Sequence, residues 1–125
     1  MQRALSLILA AAALGVLPVA AGAAPLKDTL PCFLRSDLRN HTVGDAHTLY
    51  QEVSGQGVYR IVMSNACLAG AVSSDPIVLR DQAGMGRICK PIELDVSVRG
   101  THCIAQSLTR LTPAEAAALP KKVRP

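Results

Sequence analysis

Aromatic side chains are nearly missing from this 125-residue chain, which has no tryptophan, one phenylalanine (Phe33) and two tyrosines (Tyr50 and Tyr59). Proteins that grip single-stranded nucleic acid stack bases on rings along a basic groove, and three scattered rings cannot form that platform. The basic residues do not compensate. The formal charge is +4, the arginines are dispersed from Arg35 to Arg110, and the one cluster is Lys121-Lys122-Val123-Arg124. Such a weak excess favours solubility and loose attraction to acidic surfaces, so nucleic acid is excluded as a partner. Phosphate-loop chemistry is missing too. The loop Asp81-Gln82-Ala83-Gly84-Met85-Gly86 has two glycines but no Lys-Ser/Thr and no following helix, which makes it an ordinary turn.

Nor does the chain contain an apolar run long enough to cross a bilayer. Ala4 to Val16 is uncharged and apolar but for Ser6, and it covers only about 13 residues, against the roughly 20 a spanning helix needs. Arg3 precedes it, Pro18 breaks it, and Ala21-Gly22-Ala23 offers small residues to a signal peptidase. Residues 1–23 are therefore expected to be a cleaved signal peptide, with no transmembrane segment after cleavage and a periplasmic or secreted product. The first cysteine, Cys32, lies well downstream behind Pro31, which argues against a lipid anchor at the cleavage site. Loss of Arg3 leaves 12 of the 13 basic residues against 9 acidic ones. The mature chain then divides into an extended, mobile lead at 24–31, a single disulfide-stabilised β domain at 32–120 and a solvated basic tail at 121–125. Roughly 100 residues suffice for one domain with a modest core.

Close cysteine pairs are also lacking. Cys32, Cys67, Cys89 and Cys103 follow one another at spacings of 35, 22 and 14, so no two metal ligands come from one turn. His41, His47 and His102 do not repair this, and no metal or other cofactor is expected. An even number of cysteines in a short exported chain implies disulfides, here two. Three connectivities are open. The preferred pairing is Cys67–Cys89 with Cys32–Cys103, which would pin the strand ending at Cys67 to one starting near Arg87 and fasten the mature start to the last strand.

What is present is strand pattern. Val58 to Ser64 places Tyr59, Ile61 and Met63 on one face after the Gly55-Gln56-Gly57 turn, and its partner is Thr48 to Val53 across that turn. Tyr59, Ile61 and Met63 are core expectations. A short turn and then a strand are expected within 33–43, and Gly44-Asp45-Ala46 is a turn. Residues 65–76 form a loop, and Ile77-Val78-Leu79 is a brief strand. Ile92 to Arg99 alternates branched apolar with polar residues, the mark of a strand with one buried face, Gly100-Thr101 is expected to turn it, and 103–111 returns beside it. Thr112-Pro113-Ala114-Glu115 is a capping box opening a short helix that Pro120 stops. A helix of about seven residues is unstable alone, so it must lean on the sheet through Leu119. The fold expected is mainly β: a small antiparallel sheet or barrel of five to six strands, a short C-terminal helix and two disulfides.

The order of these features resembles a family of short exported proteobacterial proteins known only as a domain of unknown function. The matching positions are Cys32, Asp45 before Thr48-Leu49, the strand from Tyr59 to Cys67, Ile88-Cys89, Cys103, and the Leu-Thr-Pro-x-Glu-Ala-Ala helix start from Leu111 to Ala117. Many members carry a lipid-attachment signal or an aromatic residue in the first strand, and this chain has neither. The resemblance implies no activity, cofactor or ligand.

Three constellations invite a chemical reading. Asp45 and His47, two apart in a turn, are the residue types of the acid–base part of a triad, but no serine in a strained glycine-rich elbow accompanies them, and turn residues of this type are usually solvated. Glu93 and Asp95 fall on one wet strand face, about 7 Å apart. Paired carboxylates serve hydrolysis or calcium binding, although a polar strand face accounts for them equally well. His102 can tune the neighbouring Cys103 only if that thiol is free. No catalytic residue is therefore assigned. The expectation is a non-catalytic binding or modulating module of the cell envelope, with a protein or envelope component as its partner. The alternatives are a periplasmic small-ligand or metal-binding protein and, behind it, a hydrolase.

Overall fold

The computed structural model describes residues 32–125, so the expected signal peptide at 1–23 and lead at 24–31 lie outside the described residues. The strand assigned to Val58–Ser64 is found as β4 (Gly57–Met63), and the strand before it as β3 (Thr48–Val53). They pair antiparallel with Tyr50 opposite Arg60 and Leu49 opposite Ile61. Around this hairpin a six-stranded antiparallel sheet runs in the order β2-β3-β4-β8-β7-β5, with β2 at Leu38–Val43, β5 at Ile77–Asp81, β7 at Leu94–Val98 and β8 at Thr101–Arg110. It curls into a half-barrel, the mainly β fold expected. A separate ribbon pairs β1 (Phe33–Leu34) with β6 (Arg87–Ile88).

Period-two alternation decides what is buried. Leu49, Val53, Tyr59, Ile61, Met63, Leu94, Val96 and Val98 line the inner face and are almost fully buried, and Phe33, Ile88 and Leu68 close over them. Two of the three aromatic rings meet there. Phe33 and Tyr59 pack edge to face with centroids 5.0 Å apart, an arrangement contributing about 0.5–1.5 kcal/mol beyond its buried area. The Tyr59 hydroxyl donates to Gln56 Oε1 at 2.5 Å, and Gln56 Nε2 donates to the Cys32 carbonyl at 3.2 Å. The β1–β6 ribbon is thereby tied to the β3–β4 turn.

Two irregularities reorient side chains within the sheet. In β8, Ala105 faces Met63 while Ser107 faces Val62, so Gln106 is an extra residue. This bulge moves the inner face from Cys103 and Ala105 to Leu108 and Arg110. In β2 the register slips between Leu38 and His41. Gln51, almost fully buried, fills the gap by donating its amide to the carbonyls of Arg39 and Asn40, each at 3.1 Å.

The sequence expectations need correction at four places. The disulfides join Cys32 to Cys89 and Cys67 to Cys103, not Cys67 to Cys89 and Cys32 to Cys103. The reason is strand order. Cys32 and Cys89 extend the register that sets Phe33 opposite Ile88, and the neighbour of β4 is β8, so Cys67 lies near Cys103. Asn65 bridges that junction, accepting from Ile104 N at 2.9 Å and donating to His102 O at 3.0 Å. Second, Pro91–Glu93 is a 3₁₀ turn, and Ile92 is 77% exposed instead of opening the strand. Pro91 favours the turn, and the Glu93 carboxylate secures it by accepting from Cys89 N and Lys90 N. Third, the β7–β8 turn is Arg99-Gly100, both with positive φ (51° and 80°), the two-residue type whose twist matches a hairpin.

The fourth correction concerns the tail. It is not a solvated appendage, because Lys121–Val123 forms a 3₁₀ turn with Val123 buried and its carbonyl accepting from the Thr42 hydroxyl. The Arg124 guanidinium donates to the Ala117 and Leu119 carbonyls at 2.7 and 2.9 Å. These are otherwise orphaned groups at the end of α1 (Pro113–Ala118). The capping box itself is as expected, with Glu115 N donating to Thr112 Oγ1 and Thr112 N to Glu115 Oε2. Leu119 is only half-buried, and Leu111 and Val123 are the buried anchors on either side of the helix.

Candidate functional site

The three constellations singled out in the sequence do not come together as chemical centres. Asp45 Oδ1 accepts from the His47 backbone N–H at 2.8 Å, a turn-closing bond that is the main reason its carboxyl is held below the usual range. The His47 ring turns the other way, with Nδ1 3.2 Å from the Met63 carbonyl. Glu93 and Asp95 do not share a strand face. Glu93 is held below its ordinary value chiefly by the Cys89 and Lys90 N–H groups, while Asp95 lies on β7, its Oδ1 3.1 Å from His102 Nδ1. That contact is an ion pair when the imidazole is protonated, and no hydrogen bond forms across it. Cys103 is bridged to Cys67, so His102 has no thiol to tune. No group of three or more His, Cys, Asp or Glu among the described residues is placed to hold a metal ion.

The arrangement with the character of a binding site lies on the outer face of the sheet. A cleft of about 240 Å³ opens between α1 and the β3–β4 hairpin, lined by Tyr50, Arg60, Leu111, Glu115, Ala118, Leu119 and Pro120. Each wall has a local cause. Alternation that turns Tyr59 and Ile61 inward turns Tyr50 and Arg60 outward, and their direct register sets them side by side. Leu111 N donates to Val58 O at 2.8 Å, anchoring the chain beside β4 before the Thr112 cap starts the helix. Pro120 ends it, and the Arg124 bonds hold the far end down. Tyr50 is positioned from below, because a Cβ at Gly44 would lie 2.8 Å from its ring Cε2. Only glycine permits that approach.

Polarity in the cleft is uneven. Glu115 is occupied by the cap, and its carboxyl is lowered first by the Thr112 backbone N–H, with a smaller contribution from the charge of Arg60. The Arg60 guanidinium and the Tyr50 hydroxyl, by contrast, have no hydrogen bond or ion pair among the described residues. Two donors therefore stand unpartnered beside an apolar wall. Alternation in β3 and β4 followed by a capped helix was the signal for this site. What it lacked was strand order, which alone puts the helix over these two residues.

No protein-family model matches the chain, and comparisons with curated proteins and with solved structures found no match. Two closed disulfides fit an oxidising compartment. Among the described residues no helix is long and apolar enough to cross a membrane.

Proposed function

We propose that this protein is a small non-catalytic binding module of the cell envelope. In this reading segment 1–23 exports it to the periplasm or beyond the cell, and it holds a polypeptide partner at the cleft between α1 and the β3–β4 face. The observation that carries the reading is the pair of unpartnered donors, Tyr50 and Arg60, beside an apolar wall in a largely preformed cleft. Convergent polar groups in an apolar concavity are the usual composition of a recognition site. The carboxylates support it from the other side, since Asp45, Asp81, Glu93 and Glu115 are each engaged by backbone N–H groups at turns and caps. The resemblance to the four-cysteine exported family agrees with this reading and adds no activity to it.

The test is retention of an envelope partner by the immobilised mature protein and by Ala118→Trp, which fills the cleft from an exposed helix position. A partner held by the wild type and lost by the correctly folded variant is the expected result. Equal retention by both, or no specific retention, overturns the proposal.

A further inference from the structure

The size and chemistry of the cleft narrow what it holds, on the reading that it is the binding site. At about 240 Å³ it falls below the roughly 300–1,000 Å³ of pockets that enclose a drug-sized ligand. It accommodates one end of a longer molecule and not a whole one. The apolar wall of Leu111, Ala118, Leu119 and Pro120 suits one aliphatic side chain. Beside it, Arg60 brings a forked, permanently charged donor set matched to a carboxylate, and Tyr50 adds a hydroxyl from the directly opposite position on β3. Glu115 cannot neutralise Arg60 by close pairing, because its carboxylate is held at the Thr112 cap and forms no ion pair with the guanidinium. Lys121 and Lys122, both exposed, directly follow Pro120, a residue of the wall, along the chain.

An aliphatic group and a carboxylate separated by one tetrahedral carbon are the two features at the end of every polypeptide that finishes in Leu, Ile or Val. We infer that the cleft captures the C-terminus of a polypeptide whose last residue is aliphatic. The terminal carboxylate sits on Arg60 and Tyr50, the last side chain rests against α1, and acidic residues upstream are favoured by Lys121 and Lys122. Recognition of a chain terminus through donors aimed at its carboxylate is a known binding mode.

Fluorescence anisotropy of the mature protein with a dye-labelled Gly-Ser-Glu-Ala-Leu peptide tests this, with the C-terminal amide and a Gly-terminated version as controls. The free acid is expected to bind about tenfold or more tightly than the amide, the range for loss of a charge-assisted hydrogen bond. Arg60→Gln, a substitution at an exposed position, should abolish the acid–amide difference, and Tyr50→Phe should reduce it. The Gly-terminated peptide should bind more weakly than the Leu-terminated one. Equal binding of acid and amide, indifference to Arg60→Gln, or no binding at millimolar peptide overturns the inference. Binding of octanoate without binding of the peptide also overturns it, assigning the site to fatty carboxylates. If an envelope partner is still lost on Ala118→Trp while the peptide results fail, the terminus inference falls and the binding-module reading stands. If both fail, both fall.

Discussion

Removal of the Cys32–Cys89 disulfide should do more than lengthen a loop. The bridge closes 57 residues of chain and its companion, Cys67–Cys103, closes 36. In the chain-entropy account both are worth about 4 kcal/mol, and the difference in loop length separates them by only about 0.4 kcal/mol. The double variant Cys67→Ala/Cys103→Ala should therefore lose about 4 kcal/mol, a melting-temperature fall of roughly 15 °C or more for a domain of this size. Cys32→Ala/Cys89→Ala should lose more. Its bridge also fastens a ribbon of two residue pairs that seats Phe33 and Ile88, both almost fully buried, over the inner face. So short a ribbon cannot hold that position unaided, and its release uncovers Tyr59 as well. Urea unfolding distinguishes the two effects. Loss of either bridge lets the denatured chain expand and raises the slope, whereas a native state already open at the ribbon has less surface left to expose, so the slope of Cys32→Ala/Cys89→Ala should fall below that of Cys67→Ala/Cys103→Ala. A Cys32→Ala/Cys89→Ala variant within about 1 kcal/mol of wild type would refute this reasoning, since even the lower end of disulfide stabilisation is expected to exceed it. A non-reduced peptide map joining Cys67 to Cys89 would refute the connectivity itself.

Other expectations are more local. Arg99→Ala and Arg99→Gly both lose the guanidinium contacts to the Gly70 carbonyl (2.8 Å) and Asp75 (3.6 Å). Only alanine keeps a Cβ at positive φ, so alanine should be the less stable by about 1 kcal/mol in urea unfolding, and equal stabilities would contradict the turn geometry. Gly44→Ala should displace the Tyr50 ring. In a double-mutant cycle its cost should shrink by about 0.5 kcal/mol or more when Tyr50 is already alanine, and strict additivity would show that the two do not touch. Stability should also depend on pH in a definite direction. Asp45, Glu93 and Glu115 are lowered from 3.8, 4.5 and 4.5, so their contributions are complete above those values and disappear as the pH falls through the lowered ones. The urea midpoint should be flat from neutrality to about pH 5 and decline below it, and Glu93→Gln should blunt the decline. An acid limb unchanged in that variant would argue against the Glu93 turn cap.

The parts of the fold legible in the sequence are those governed by neighbours along the chain. Alternation around Tyr59, Ile61 and Met63 and around Leu94, Val96 and Val98 found β4 and β7, and Thr112 with Glu115 found the helix start. Where distant segments meet, local pattern carried no information. Cysteine spacing does not distinguish a β1–β6 ribbon from a β4–β6 pair, which is why the expected pairing differs from the one formed. Gln51 looked like any polar strand residue, yet a slip in the neighbouring strand makes it a buried plug. The tail failed for a similar reason. Its charge suggested solvent, while the single apolar Val123 and the reach of Arg124 back to the helix fixed it. The cleft was invisible until strand order placed α1 over Tyr50 and Arg60, although each wall was written locally.

The position of β8 sets an order of events. It is the last strand in the chain and the middle of the sheet, joining β4 on one side to β7 on the other. Until Arg110 is available, the β2-β3-β4 half and the β5–β7 half have no strand in common, and the inner edge of β4 is an unpaired, apolar template. Pairing so remote in sequence is slow, and open edges are where chains aggregate. A chain emerging N-terminus first therefore cannot close its sheet until β8 has emerged. Truncation between β7 and β8 should leave two unjoined halves with open edges, not a smaller domain.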